Sequence, residues 1–351
     1  MTTTNTATLN VRSLEESDEP AVLELLGETL AGGPTGRRTA EFFRWKHREN
    51  PFGPSPGLVA EHDGQLIGVR LFLSWRLRVA GRPVNAVRAV DTATHPDFQG
   101  LGIFRRLTLD LLARLDQAGL DLVFNTPNSS SRPGYLKMGW VDAGTVPVSI
   151  RPMRPLRVVS GLRAARRASA QGGGHVATSS YADVPPCPLP AAAAAFNDPA
   201  ALRELLSNVG EPEGLHTPLS VEFLRWRYAK APDLDYRCLL IDGPAGLAGV
   251  AFGRLRRRGP LVEFTLADVI TRSGDVRSAQ RLLKGLGHCG ADHVIGHFPR
   301  EGSAAQAALR SGFLTTRRLG LDLVANTRSR LPVDAGHLAS WRLTLGDLEV
   351  F

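Results

Sequence analysis

HPDFQGLGIFRRL, residues 95–107, lies where one periodicity gives way to another, and that change decides the fold. On its N-terminal side, Val87–Thr94 reads as a strand leaving an antiparallel meander. On its C-terminal side, Ile103, Leu107, Leu111 and Leu115 fall at four-residue spacing. That spacing predicts a helix from about Gly102 to Ala118, stopped by Gly119. A strand that turns at once into a helix aims the first free N–H groups back toward the strand end, where a helix dipole favours an anion. Gly100 and Gly102 remove side chains from the turn, which lets the backbone approach such an anion closely. Two other phosphate loops are excluded. GxxxxGK[ST] is absent, and the strand comes from a meander, not from the βαβ unit of a dinucleotide fold.

Working outward, TLNVRSL predicts a short strand, and Asp18–Leu30 predicts an amphipathic helix opened by acidic residues and Pro20. Glu41–Arg48 is a second helical piece, stopped by Pro51. Residues 57–94 give three strands, with turns at His62–Gln65 and Ala80–Pro83. Beyond the helix, LDLVFN reads as a buried strand and Arg132–Met138 as another short helix. This order gives an α/β class with a mixed, mostly antiparallel sheet flanked by helices.

The chain also repeats itself. EFFRWKHRENP, starting at Glu41, returns as EFLRWRYAKAP, starting at Glu222, a shift of 222 − 41 = 181 that still holds at Gly68 and Gly249. Further on the shift shrinks, so that Asp91 faces Asp268 and Gly139 faces Gly312. Ordered drift of this kind marks two copies of one fold with altered loops. Gly172–Ala195, rich in Gly, Pro, Ser and Ala, reads as a linker. The expected domains are therefore 1–150 and 196–351, joined by a basic and then Gly/Pro/Ala-rich segment, 151–195. Copy two has RSGDVRSAQRLL in place of the glycine loop. The residue matching Tyr135, counted back from Gly312, is Ala308. One site is expected, in copy one. Trp45 and Trp226, Arg44 and Arg225, and Glu41 and Glu222 recur in both copies and read as scaffold.

Composition bounds the rest. The chain has 351 residues, 43% of them apolar, and a formal charge of +8. No apolar run approaches the roughly 18–20 residues that span a bilayer, and MTTTNTATLN lacks the apolar segment of a secretory signal. Cys187, Cys238 and Cys289 are too far apart for a disulfide framework or a zinc site. A cytoplasmic protein without metal or membrane contact is expected. Six arginines and no acid fall within Arg151–Ala170. They read as a solvated linker helix; nucleic acid is disfavoured because no aromatic side chains interleave them.

NSSSRPGYLKMGW, residues 128–140, adds a second motif. Together with QGLGIF it resembles the GNAT superfamily of acyl-CoA-dependent N-acyltransferases. Members carry a [QR]xxGx[GA] loop, here Gln99, Gly102 and Phe104. A strand follows, then Asn, Tyr and Gly-aromatic at the spacing of Asn128, Tyr135, Gly139 and Trp140. The resemblance covers Val11 to about Pro147 and implies a tandem arrangement with a degenerate C-terminal copy. It further implies that acetyl-CoA is the co-substrate, its pyrophosphate held by the loop Gln99, Gly100, Leu101, Gly102, Ile103 and Phe104. Thr92, Thr94 and Asn128 complete the expected cofactor contacts, with the pantetheine arm between Val87–Thr94 and Leu120–Asn125. Phe104 departs from the pattern, since the family has a small residue there.

The chemistry so implied moves an acetyl group to a primary amine of a small molecule by direct attack on the thioester. An alkylamine is only about one-thousandth neutral at pH 7, so a group or water chain must take its proton. A developing oxyanion needs a backbone N–H, which the strand after Ala89 offers. Tyr135, by its family position, is the acid for the leaving thiolate, against a core-tyrosine reading. Asp91 is the candidate base, although Asp268 survives in the copy without the loop, which favours a structural hydrogen bond. His95 reads as a cap of the turn before Pro96. Two alternatives stand beside this reading: a non-catalytic acyl-CoA-binding protein, and an aminoacyl transferase using charged tRNA.

Overall fold

The computed structural model describes residues 9–29, 39–170, 179–180, 184–244, 246–300 and 302–348. They fall into two compact units. Unit 1 comprises Met1–Arg76, Val84–Asp142 and Val324–Leu331; unit 2 comprises Leu77–Pro83, Ala143–Leu323 and Pro332–Phe351.

Unit 1 runs β1 (Asn10–Ser13), α1 (Glu19–Thr29), α2 (Ala40–His47), β2 (Gly57–His62), β3 (Gln65–Val79), β4 (Arg82–Thr94), α3 (Ile103–Gln117), β5 (Leu122–Asn125) and α4 (Arg132–Lys137). The strands lie in the order β1-β2-β3-β4-β5. Alternation along them sorts side chains onto two covered faces. Val59, Val69, Leu71 and Ala93 pack with Val22, Leu25 and Leu26 of α1 and Phe43 of α2. Leu58, Ala60, Phe72, Val87 and Ala89 pack with Ile103, Leu107, Leu111 and Leu112 of α3. Gly68 permits the close approach of α3, since a Cβ there would lie 2.8 Å from Ile103 Cγ2. β4 and β5 are parallel and pair only over Ala86–Arg88 and Leu122–Phe124. Past that point β4 runs on to Thr94 without β5 beside it.

Unit 2 continues with β6 (Val141–Pro152, its first two residues in unit 1), α5 (Pro155–Ala170), β7 (Ser179–Ser180), α6 (Pro199–Ser207), α7 (Val221–Leu224), β8 (Arg237–Gly243), β9 (Gly246–Arg258), β10 (Leu261–Thr271), α8 (Val276–Gly285), β11 (His293–Gly296), α9 (Ser303–Arg310) and β12 (Leu314–Thr327, its last four residues in unit 1). The meander β8-β9-β10 is antiparallel, and β10 pairs β11 in parallel over Glu263–Leu266 and His293–Gly296. This repeats the β4–β5 arrangement of unit 1. Gly249 again faces a helix leucine, Leu282, 3.0 Å from its notional Cβ.

Each compact unit is assembled from separate stretches of chain, whereas the repeat alone draws contiguous copies at 1–150 and 196–351. The second edge of β5 is taken by Val324–Thr327 of β12, with Asn125 opposite Val324. The second edge of β11 is taken by β6, with Gly296 opposite Ser149. Each repeat's last long strand thus pairs in the unit built by the other repeat. Of the expected linker, residues 172–178 and 181–183 lie outside the described residues. The basic run is partly anchored, because Arg154 and Arg157 each reach the fully buried Asp292 at 3.4 Å. The three cysteines are buried and unpaired. No helix among the described residues is long and apolar enough to cross a membrane.

Candidate active site

The opening loop has the backbone that its glycines suggested. Gly100 and Gly102 have φ of 78° and 77°, a left-handed region that L side chains rarely enter, and open space lies beyond both. Gly102 is the N-cap of α3, no side chain caps that terminus, and no acid lies in its first turn. Arg105 and Arg106 are exposed there, adding positive charge that the motif did not specify. Gln99 turns back, its Nε2 donating to Thr94 O at 3.3 Å. His95 Nδ1 accepts from Asp97 N and caps the short turn Pro96–Phe98.

Copy two answers the same helix terminus differently. At α8 the N-cap is Asp275, whose Oδ1 accepts from Ser278 N at 2.9 Å. The positive end of α8 is thus satisfied by the chain's own carboxylate, whereas the end of α3 has no side-chain cap.

The two candidate catalytic residues lie on opposite faces of the unit 1 sheet. Asp91 belongs to the α1–α2 face: its Oδ2 accepts from Lys46 Nζ at 2.5 Å and meets His47 Nε2 at 2.9 Å. All three are buried, at 8%, 1% and 3% exposure. His47 Nδ1 is in turn 2.9 Å from Ser55 Oγ. Asp91 has φ of 32°, so its backbone bends out of the strand. Copy two keeps the cluster in altered form. There Tyr228 donates to Asp268 Oδ2, Arg227 stands where Lys46 does, and β10 carries a bulge between Leu266 and Asp268.

Tyr135 lies on the other face, in the α3–α4 core. Its Oη accepts from Arg70 Nη2 at 3.0 Å. Its ring meets Phe104 edge-on at 5.7 Å and Trp140 at 5.2 Å. The loop and the tyrosine are therefore joined through Phe104. Thr92 and Thr94 are half-buried and alternate with Asp91 and Ala93, which puts them on the Tyr135 side of β4. Thr92 Oγ1 donates to Val69 O at 3.3 Å. Leu101 is exposed and Ile103 is core. Asn128 Oδ1 accepts from Ser131 N and Oγ, closing the turn that starts α4.

Sequence reasoning missed Arg70, which is fully buried in β3. A charge inside the apolar run QLIGVRLFLSW was the available signal. It also missed Asn125 at the end of β5, whose buried Oδ1 has no hydrogen-bond partner among the described residues. The whole arrangement can hold an anion at α3, admit an extended chain beside β4 where β5 stops, and present a phenol on that face.

Comparison with known proteins bears on the family and the fold. The acetyltransferase (GNAT) domain family matches residues 10–142. A mycothiol acetyltransferase of Thermomonospora curvata is 35% identical over 127 residues, a stretch that covers 36% of this chain and 40% of that protein. The chain thus matches well under two thirds of that relative's length. A probable N-acyltransferase of unknown function from Enterococcus faecalis is similar over 92% of this chain and 73% of its own, with a TM-score of 0.63 and 13% identity. A GCN5-related N-acetyltransferase from Anabaena variabilis gives the same coverage, with a TM-score of 0.61 and 12% identity. The N-myristoyltransferase of Saccharomyces cerevisiae, bound to myristoyl-CoA, covers 93% of this chain and 86% of its own, with a TM-score of 0.55 and 12% identity. At these identities the likeness is one of fold.

Proposed function

We propose, on the premise that residues 10–142 match the acetyltransferase (GNAT) domain family, that the protein is an N-acetyltransferase moving an acetyl group from acetyl-CoA to a primary amine of a small molecule. The observation that carries the reading is the contrast between two helix termini. α3 opens on two left-handed glycines with no side-chain cap, while α8 is closed by Asp275. In this reading the loop from Gln99 to Phe104 holds the pyrophosphate on backbone N–H groups. The arm lies along Thr92 and Thr94, where β4 has lost β5 as a neighbour, and backbone N–H groups past Ala89 meet the thioester oxygen as charge gathers on it.

The amine attacks the thioester carbon directly, a C–N bond replaces the C–S bond, and Tyr135 gives its proton to the departing sulfur. Asp91 serves here by holding the bend in β4 against α2; the amine proton leaves through water. The acetyl group is preferred because the relative that matches by sequence is an acetyltransferase. Calorimetry of the full chain with acetyl-CoA tests the binding. Thiol release with glucosamine, lysine, spermidine and kanamycin as acceptors tests the transfer. Absence of acetyl-CoA binding overturns the reading, and binding without thiol release from any amine returns the protein to a non-catalytic role.

A further inference from the structure

Arg70 is the one part of the Tyr135 cluster that fold and motif leave without a task. It is fully buried in the middle of β3, and Nη2 spends one hydrogen bond on Tyr135 Oη at 3.0 Å. Nε and Nη1 have no hydrogen-bond partner among the described residues. Its charge is surrounded by rings, with Cζ 4.6 Å from the centroid of Phe72 and 5.5 Å from those of Phe104 and Tyr135. Cation–π contacts offset part of the cost of burying a guanidinium, yet an apolar side chain of the same length would serve the core better. A charge kept at such a cost is there for another reason.

We infer that Arg70 is a positioning residue for the acetyl transfer, setting the direction of the Tyr135 hydroxyl. An arginine N–H can only donate, so the Arg70 contact occupies an acceptor site of the phenol oxygen. The phenolic hydrogen must then point elsewhere, onto the face shared with Thr92 and Thr94. The guanidinium also stands beside the oxygen that becomes negative when the proton is given up. Across the cycle the protonated acceptor first loses one proton to water, the thiolate takes the Tyr135 proton, and the phenolate takes back the second proton, which the nitrogen loses as the amide forms. The inference rests on the proposed role of Tyr135 as the donor.

Phe104 falls into place in the same assembly. The ring that occupies the family's small-residue position packs over the Arg70 guanidinium and against the Tyr135 edge. Gly134 lies against the same ring, with Phe104 Cε1 3.4 Å from its notional Cβ, an ordinary contact distance. Copy two supplies the comparison. At the shift of 181 that holds at Gly68 and Gly249, Arg70 corresponds to Ala251, and Tyr135, counted back from Gly312, corresponds to Ala308. α8 (VRSAQRLLKG) carries no aromatic residue. Guanidinium, phenol and ring are lost together, while the cluster on the other face persists as Arg227, Tyr228 and Asp268.

The test uses the full chain with ring-labelled tyrosine, of which there are four, and assigns Tyr135 by the signal missing in Tyr135→Phe. Coenzyme A and desulfo-coenzyme A are then added separately. In the wild type the Tyr135 signal is expected to move further with the sulfur present. In Arg70→Met that difference should fall below about half, with kcat down about 10–100-fold and KM for acetyl-CoA within about two-fold, the pattern of a lost transition-state interaction. The thermal midpoint of Arg70→Met should equal or exceed that of the wild type, which no structural arginine would allow, and Arg70→Lys should recover part of kcat. Tyr135→Phe/Arg70→Met should be no slower than Tyr135→Phe with the fastest amine of the panel.

A full sulfur-dependent shift in folded Arg70→Met, or losses that multiply in the double variant, overturns the role of Arg70 and leaves Tyr135 standing. No sulfur-dependent shift in the wild type removes Tyr135 as donor, and Arg70 with it. Should Arg70→Met not fold, Arg70→Gln carries the same expectations.

Discussion

Asp91→Asn separates a carboxylate that holds the fold from one that moves protons. The side chain keeps its shape and loses its charge, leaving Lys46 at 1% exposure without the anion that it touches at 2.5 Å. Removing one partner of a buried pair typically costs about 3–5 kcal/mol. At roughly 2–4 °C per kcal/mol for a chain of this class, the thermal midpoint should drop by about 6–20 °C. Asparagine also tolerates the positive φ of 32° at this position, so backbone strain does not contaminate the measurement. Restoring balance with Lys46→Met on the same background should recover a large part of the loss, because the buried cation that faced Asp91 is then gone. Scanning calorimetry supplies the midpoint, and thiol release from acetyl-CoA on the same preparation supplies the rate. A variant that melts within about 2 °C of the wild type but has lost its turnover would make Asp91 the base and refute the reasoning.

Tyr135→Phe should lower kcat by about 10²–10⁴-fold, the usual contribution of a positioned acid, while stability changes by only about 1 kcal/mol; near-normal turnover returns Tyr135 to the core. Gly102→Glu should abolish acetyl-CoA binding by calorimetry, since it puts a carboxylate before the helix terminus, and the left-handed backbone should cost no more than about 1–3 kcal/mol of stability. In unit 2, burial pushes the Glu263 carboxyl up, but the His293 hydrogen bond and the charges of Arg256 and Arg258 outweigh it and bring its pKa down to about 2 from an ordinary 4.5. The folded value lies below the unfolded one, so this stability is fully present above pH 4.5 and is lost as pH falls through about 2. It amounts to about 3 kcal/mol, and urea unfolding of the wild type against Glu263→Gln across that window should show the acid slope flatten in the variant.

Local signals made most of unit 1 legible before any coordinates. The four-residue spacing from Ile103 onward set α3, the Gly100–Gly102 pair set its turn, and residues 57–94 read as three strands with turns at His62–Gln65 and Ala80–Pro83. The repeat forecast both the shared glycine at 68 and 249 and the scaffold role of Trp45 and Trp226, which are buried at 1% and 3%. Partner choice across long sequence distance was not legible. β6 and β12 look like ordinary strands, and no property of Val324–Thr327 announces that it pairs with β5. Asp91 stood out by type, but its direction depends on a bend in β4 that turns the carboxylate toward α2, and no residue pattern encodes that bend. Arg70 was visible as a charge in an apolar run, yet its meaning required seeing three rings and a phenol converge on it.

The pairing of β5 with Val324–Thr327 also dictates when the molecule can become itself. Asn125 waits for Val324, 199 residues later (324 − 125). At synthesis rates of about 5–20 residues per second, that is a delay of roughly 10–40 s, during which β5 presents a bare edge next to the nascent Tyr135 cluster. The first repeat cannot finish its sheet on the ribosome ahead of the second, as successive domains ordinarily do. Completion of the sheet that carries the Gly100–Gly102 loop is therefore tied to synthesis of the repeat that lacks it. A stop codon anywhere before residue 324 should yield aggregation-prone chain, because the second repeat is the donor of that strand.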